Sequence, residues 1–242
     1  MKVVALMSFY DETDEMLRES ILSLEGLCDA LVAVDGAYAL YPGGKPSSGG
    51  HDAIRAACED AGLELELHVP DTVWLGNECE KREFMFRLGE KHTEPSDWFF
   101  IVDGDFVVGD FSDKQGARRK LSEITQDVAS VTLDEQTGIV LHPLFFRAIR
   151  GIEVGPAHHY WRAPDGRWLW HPMHGVGKYE LYHEVIVEHR QSERPSARAK
   201  AALAYYETRD RAGIEVPVTR PSREERRRRR AERRRRAQKR SA

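Results

Sequence analysis

Cysteine is scarce in this chain, and its three copies are far apart. Cys28, Cys58 and Cys79 form neither a disulfide framework nor a zinc-binding spacing. A reducing, cytoplasmic setting is therefore expected. No apolar run approaches the roughly 20 residues that a membrane-spanning helix needs. The opening run Lys2–Met7 is too short for a secretion signal, and Asp11 and Glu12 follow too soon. A glycine-rich phosphate loop is also missing after that run. Ser8–Glu12 is acidic and holds no glycine, which argues against a nucleotidyltransferase.

The chain has 242 residues, enough for one α/β domain with or without an extension. A hydrophobic share of 41% is sufficient for a full core. The net charge of −4 hides a division. Residues 219–242 hold 13 Lys or Arg against 3 Asp or Glu, a net of +10, and the remaining 218 residues carry a net of −14. Within the tail, Arg226–Arg230 and Arg233–Arg236 form a self-repelling block, expected to be disordered alone or helical only on a polyanion. Nucleic acid is its obvious partner, with an anionic membrane surface or an acidic protein body as alternatives. The expected organisation is a domain over 1–212, split into halves 1–110 and 111–212, and a basic tail over 213–242.

Val3–Met7 reads as a first strand. Thr13 can cap a helix with Asp14 and Glu15 in its first turn and the stripe Leu17, Ile21, Leu24, Leu27. Ala30–Val34 is a second strand ending at Asp35-Gly36. Residues 42–50, rich in Gly, Pro and Ser, read as an open loop. Asp52–Ala61 reads as a helix and Leu63–Val69 as a strand. Asn77–Gly89 is a helix with Lys81, Met85 and Leu88 along one side. This alternation predicts a doubly wound, mostly parallel sheet. Val128–Leu133 and Ile139–Phe146 read as two strands. Residues 150–190 show little periodicity and predict a small β or irregular layer. Pro195 introduces a terminal helix carrying Ala199, Leu203 and Tyr206.

The most informative segment is Trp98–Asp105, an apolar strand that runs into Asp103-Gly104-Asp105. Open α/β sheets place ligands at the carboxyl ends of their strands. Two hard carboxylates there suit a divalent cation that also touches phosphate. A solvated turn would use the same residue types.

These segments, in this order, resemble family 2 glycosyltransferases, in particular a bacterial and phage branch. Ser-Phe-Tyr-Asp-Glu after the first strand resembles the family's Pro-x-Tyr-Asn-Glu. Leu31–Gly36 is similar to its strand ending in Asp-Gly. Asn77, Lys81 and Arg82 match an Asn-x-x-x-Lys-Arg helix start, and Asp103-Gly104-Asp105 falls where the family has Asp-x-Asp. Phe146-Arg147, Gly151-Ile152 and His158-His159 resemble a stretch that ends in His-Glu in many relatives; here the second residue is His. Ile186–His189, followed by Arg194, Lys200 and Tyr205, also looks family-like. The resemblance spans residues 1–212 and implies a GT-A fold, a nucleotide-diphosphate sugar donor and Mn²⁺ or Mg²⁺. By that resemblance Asp103 and Asp105 are the catalytic pair, with Asp105 on the metal. His189 or His158 would be a further metal ligand. Asp11, Asp35, Lys81, Arg82 and Asp103 would hold the donor, Asp35 through base or ribose and the basic pair through diphosphate or sugar.

An inverting transferase also needs a base, for which Asp134, Glu135, Glu153, His158 and His159 are candidates. His158-His159-Tyr160-Trp161, with Trp168 and Trp170, offers an aromatic platform for an acceptor or a hydrophobic cluster. His171 and His174 have a metal-like spacing, but Pro172 spoils a helical geometry. A nucleotidyltransferase and a non-catalytic nucleic-acid-binding protein are the competing readings. The second explains the tail but leaves Asp35, Lys81, Asp103 and Asp105 unexplained.

Overall fold

The computed structural model describes residues 1–109, 113–135, 138–155, 161–171, 175–176, 179–190 and 196–211. In chain order the elements begin with β1 (Val3–Ser8), α1 (Asp14–Leu22), β2 (Ala30–Val34), α2 (His51–Ala61), β3 (Glu64–His68) and α3 (Asn77–Gly89). They continue with β4 (Trp98–Asp103), β5 (Phe106–Val108), α4 (Lys114–Glu123), β6 (Val128–Glu135) and β7 (Gly138–Arg147). Then come β8 (Glu153–Val154), β9 (Trp161–Arg162), β10 (Trp168–His171), β11 (Gly175–Val176), β12 (Glu180–His189) and α5 (Ser196–Arg211). The fold class is the one expected: α/β with a large, mostly parallel sheet, a small second β layer and a terminal helix, an arrangement consistent with a GT-A-like fold.

The large sheet has the order β3-β2-β1-β4-β7-β6-β12-β5. Its first four strands are parallel, and β7 then joins β4 antiparallel. Every residue of β1 and β2 is buried, as expected for parallel strands covered on both faces. The chain passes from β1 outward to β2 and β3, then returns to the other side of β1 as β4. That reversal makes the β1/β4 boundary the topological switch point, where open α/β sheets form a crevice. Ser8 is in register with both Val34 and Asp103, so the loops after β1, β2 and β4 leave the sheet along one edge.

Local sequence explains these elements. Thr13 caps α1, accepting a hydrogen bond from Met16 N, and Leu17, Ile21, Leu24 and Leu27 are all buried. Lys81, Met85 and Leu88 mark the buried side of α3, as expected. Between β4 and β7, Phe100 and Phe145 stack at 4.2 Å.

Four features depart from the sequence reading, the last of them in residues 42–50. Helix α4 and strand β5 carry no signal that was read. Residues 150–190, read as nearly aperiodic, contain the ten-residue β12, which lies inside the large sheet beside β6. A register shift between Leu181 and Ile186 breaks its alternation, so the buried Tyr182, Val185 and Val187 do not follow period two. In α5 Ala199 and Leu203 face outward, with Leu203 61% exposed; the packed side carries Arg198 and Tyr205, and Tyr206 packs on Tyr205. The tail and His158, His159, Tyr160 and His174 lie outside the described residues. No helix among the described residues is long and apolar enough to cross a membrane.

Residues 42–50 fold down rather than stay open. Ala37 N donates to Lys45 O, Lys45 N donates to the Tyr10 hydroxyl, and Ser48 binds Asp35. Gly36 is the pivot, at φ +102°. A Cβ there would meet Pro46 O at 2.7 Å and Trp74 Nε1 at 2.9 Å. Gly36→Ala is therefore expected to cost about 3 kcal/mol from backbone strain and overpacking. Urea unfolding checks this; a loss below about 0.5 kcal/mol would contradict the packing described.

Candidate functional site

The loops at the switch point bring four sequence segments together. After β1 the chain turns through Phe9, Tyr10, Asp11 and Glu12. Asp11 sits at φ +65°, the one non-glycine residue at positive φ among those described. Such a conformation costs about 1 kcal/mol and is characteristic of functional loops. Asp11 is exposed at the surface of the turn.

After β4, Asp103, Gly104 and Asp105 turn into β5. Asp103 is about 30% exposed and accepts a hydrogen bond from Arg82 Nη2 at 2.6 Å. The Asp105 side chain is fully buried. Its Oδ2 lies 3.5 Å from His189 Nε2. That approach follows from the sheet: β12 pairs with β5 so that His189 faces Phe106, and Arg190 N donates to Asp105 O. The structure thus unites Asp105 with His189, residues 84 positions apart in the chain. Gly104 packs under Glu12, whose Cδ would lie 2.9 Å from a Cβ at that position.

From α3, Lys81 and Arg82 point inward together. Lys81 is almost wholly buried, and its Nζ donates to Phe9 O at 2.7 Å and Gly36 O at 2.9 Å. It ties the loop after β1 to the loop after β2. Burial pushes its ammonium down from the ordinary lysine value. Arg82 is also buried, and only its Nη2 reaches Asp103; its Nε and Nη1 meet no acceptor among the described residues.

Asp35 is fully buried at the end of β2. Its carboxylate accepts from Gly36 N at 2.6 Å, Ser48 N at 3.1 Å and Ser48 Oγ at 2.9 Å, and lies 2.8 Å from His51 Nε2. Its backbone carbonyl accepts from Trp74 Nε1. The contacts visible here make Asp35 the anchor of the 42–50 loop.

Asp103, Lys81 and Arg82 line one cavity of about 110 Å³ with Tyr10, Glu12 and Tyr38. Helix α5 contributes Arg198, Ala202, Tyr205 and Tyr206 to the same walls. Glu12 is the acid to which the sequence reading gave no separate role. It is nearly inaccessible, accepts from Tyr10 N and forms an ion pair with Arg198. Burial pushes its carboxyl up to about 7, against the opposing pull of Arg198. Its place at the carboxyl end of β1 was the available signal. Arg198 lies 186 positions away and carried none.

Among the described residues, no three His, Cys, Asp or Glu side chains form a metal-ligating group. The Asp105–His189 pair offers one hard oxygen and one imidazole donor. That mixed set suits manganese; neither residue is among those that line the cavity. His158 lies outside the described residues. Of the candidate bases, Asp134 is exposed on β6 and Glu153 is in an exposed ion pair with Arg162; neither lines the cavity. Trp161 is core, packed on Phe86 and Phe146, whereas Trp168 is 40% exposed beneath Arg162.

No protein-family model matches the chain, and no curated protein matches it in sequence. Solved structures do share partial likeness. S. aureus TarS, residues 1–349, is similar at a TM-score of 0.41 and 19% identity, over 57% of this chain and 37% of that one. A glucose-1-phosphate thymidylyltransferase from Bacillus anthracis, in complex with sucrose, is similar at 0.35 and 9%, over 87% and 84%. Mannose-6-phosphate isomerase from Helicobacter pylori is similar at 0.38 and 9%, over 61% and 71%. The chain spans little more than a third of the TarS fragment's length. Identity is low throughout, and this chain's own residues carry the functional conclusion.

Proposed function

We propose that this chain is a metal-dependent glycosyltransferase that takes its sugar from a nucleotide-diphosphate donor. The observation that carries the proposal is the Asp103-Gly104-Asp105 turn at the switch point. There Arg82 meets one carboxylate and His189 approaches the other. Asp105 and His189 would hold Mn²⁺ or Mg²⁺, and Asp103 and Arg82 would face the diphosphate. When bound, the metal supplies charge stabilisation to the departing diphosphate. The acceptor's hydroxyl oxygen bonds to the anomeric carbon as the bond from that carbon to the diphosphate oxygen breaks, and the hydroxyl proton passes to a base or to the departing diphosphate. Negative charge then builds on the leaving group, where Arg82 is positioned to oppose it. Lys81 and Asp35 act by fixing the two loops that frame the cavity.

The test is product analysis of the full chain with Mn²⁺. Nucleotide sugars should yield the nucleoside diphosphate, by transfer or slow hydrolysis, and EDTA should stop its release. Pyrophosphate release from nucleoside triphosphates, with no diphosphate from nucleotide sugars, would instead indicate nucleotidyl transfer and contradict the proposal.

The Arg-rich segment is proposed to hold a polyanion through phosphate contacts, with affinity that falls steeply with salt. Deleting residues 219–242 is expected to abolish retention on DNA while leaving nucleoside-diphosphate release unchanged. Equal DNA retention by the truncated chain would refute this.

A further inference from the structure

Helix α5 forms one wall of the cavity, and its contacts there are specific. Tyr205 packs on Tyr38 and Tyr41 at centroid distances of 5.3 and 6.1 Å, and Tyr41 Oη donates to Arg198 O. Arg198, only 9% exposed, places its guanidinium among Glu12, Tyr10 and Arg82 on the cavity surface. Its Nη2 is engaged by Glu12, while its Nη1 meets no acceptor among the described residues. Arg82 shows the same half-engagement, with Nε and Nη1 also lacking an acceptor. Buried guanidinium N–H groups normally find acceptors, because leaving them without one is costly. Both residues line the same cavity, and two such guanidinium groups there suit an anion with several acceptor oxygens. A phosphate or diphosphate fits that description, since Arg forks recognise its oxygens in pairs.

Size adds a second constraint. Pockets for small-molecule ligands enclose about 300–1,000 Å³. The cavity here, at about 110 Å³, is below that range with α5 in this position. A shift of α5 would enlarge it, and the Arg198–Glu12 pair is one of the contacts that would yield.

We propose that Arg198 is a donor-phosphate ligand carried on a movable helix, exchanging Glu12 for the diphosphate when the donor binds. This rests on the donor-site reading above and assigns that site a residue from the far end of the fold. Glu12 then keeps the guanidinium oriented until the donor binds.

The experiment is calorimetric titration of the full chain with UDP, GDP, ADP and dTDP in Mn²⁺, and with the corresponding nucleosides. Arg198→Ala is expected to weaken diphosphate binding about 30-fold, the loss typical of a charged hydrogen bond, and to leave nucleoside binding unchanged. Arg198→Lys should recover part of the loss. If the alanine variant does not fold, Arg198→Gln, which keeps a hydrogen bond to Glu12, should show the same loss. Wild-type diphosphate affinity in the Ala or Gln variant, with Arg82→Ala impaired, would overturn the assignment but leave the donor site standing. Tighter binding in those variants would make Arg198 a latch alone and would also overturn it. Failure of the wild type to bind any of the four diphosphates would overturn the donor site and this assignment together.

Discussion

Asp105→Asn is expected to reduce donor turnover on the order of 10³-fold while leaving the fold intact. A metal at a departing diphosphate stabilises several kcal/mol of developing charge, and each 1.4 kcal/mol is about tenfold in rate. Asparagine keeps the shape of the side chain but gives up the carboxylate that would pair with His189 on the cation. Its effect on folding should be small or favourable. Asp105 is fully buried at a strand terminus, and a buried carboxylate is costly to desolvate. Activity lost without loss of stability is the signature of a group held for function. Steady-state release of nucleoside diphosphate and a thermal melt, run in parallel on both proteins, check the two halves. If turnover stays within threefold of wild type, the turn is structural. If the melt collapses along with activity, Asp105 is part of the scaffold.

Lys81→Met is expected to behave in the opposite way, losing stability first. The wild-type side chain is buried at the centre of the site and donates to Phe9 O and Gly36 O. Methionine matches its length but leaves both carbonyls without that donor, at an expected cost of about 3 kcal/mol. The penalty should depend on pH. Burial lowers the Lys81 ammonium to about 7 in the folded chain, whereas the unfolded chain holds that proton to about 10. Between those limits the unfolded state binds more protons, so this group's contribution to folding rises with pH. The neutral amine that results still has two N–H groups for the two carbonyls. The stability deficit of Lys81→Met should therefore widen from pH 7 toward pH 10 in urea titrations. A deficit that narrows over that range would contradict the burial argument, and no deficit at all would remove Lys81 from its structural role.

β1, β2 and β4 were legible because parallel strands buried on both faces are continuous apolar runs, and Trp98–Val102 is the clearest of them; the edge strand β3 showed instead as the alternation Leu63, Leu65, Leu67. The helix stripes at Leu17–Leu27 and Lys81–Leu88 were legible for the matching reason, a period near 3.6. Legibility ended where geometry broke the period. The bulge in β12 shifted Tyr182 out of step with Val185 and Val187, and a central strand looked irregular. Ala199 and Leu203 of α5 pointed away from the packed side because that side carries Arg198 and Tyr205, which line the cavity. Within the site, Asp103 and Arg82 were found from motif order and meet as a pair. Asp35 also came from motif order, but its contacts with Ser48 and His51 depend on how the glycine-rich loop folds back. The Glu12–Arg198 pair joins opposite ends of the chain, and no local pattern encodes such a contact.

The most direct test is thermal stabilisation of the full chain by a panel of nucleoside diphosphates and nucleotide sugars, each with Mn²⁺ and with EDTA. A rise in melting temperature with one base, present with Mn²⁺, lost in EDTA and lost in Asp105→Asn, is the predicted result. No rise with any nucleotide, or a rise indifferent to EDTA and to Asp105→Asn, would contradict a metal-assisted diphosphate site at the β1/β4 switch point.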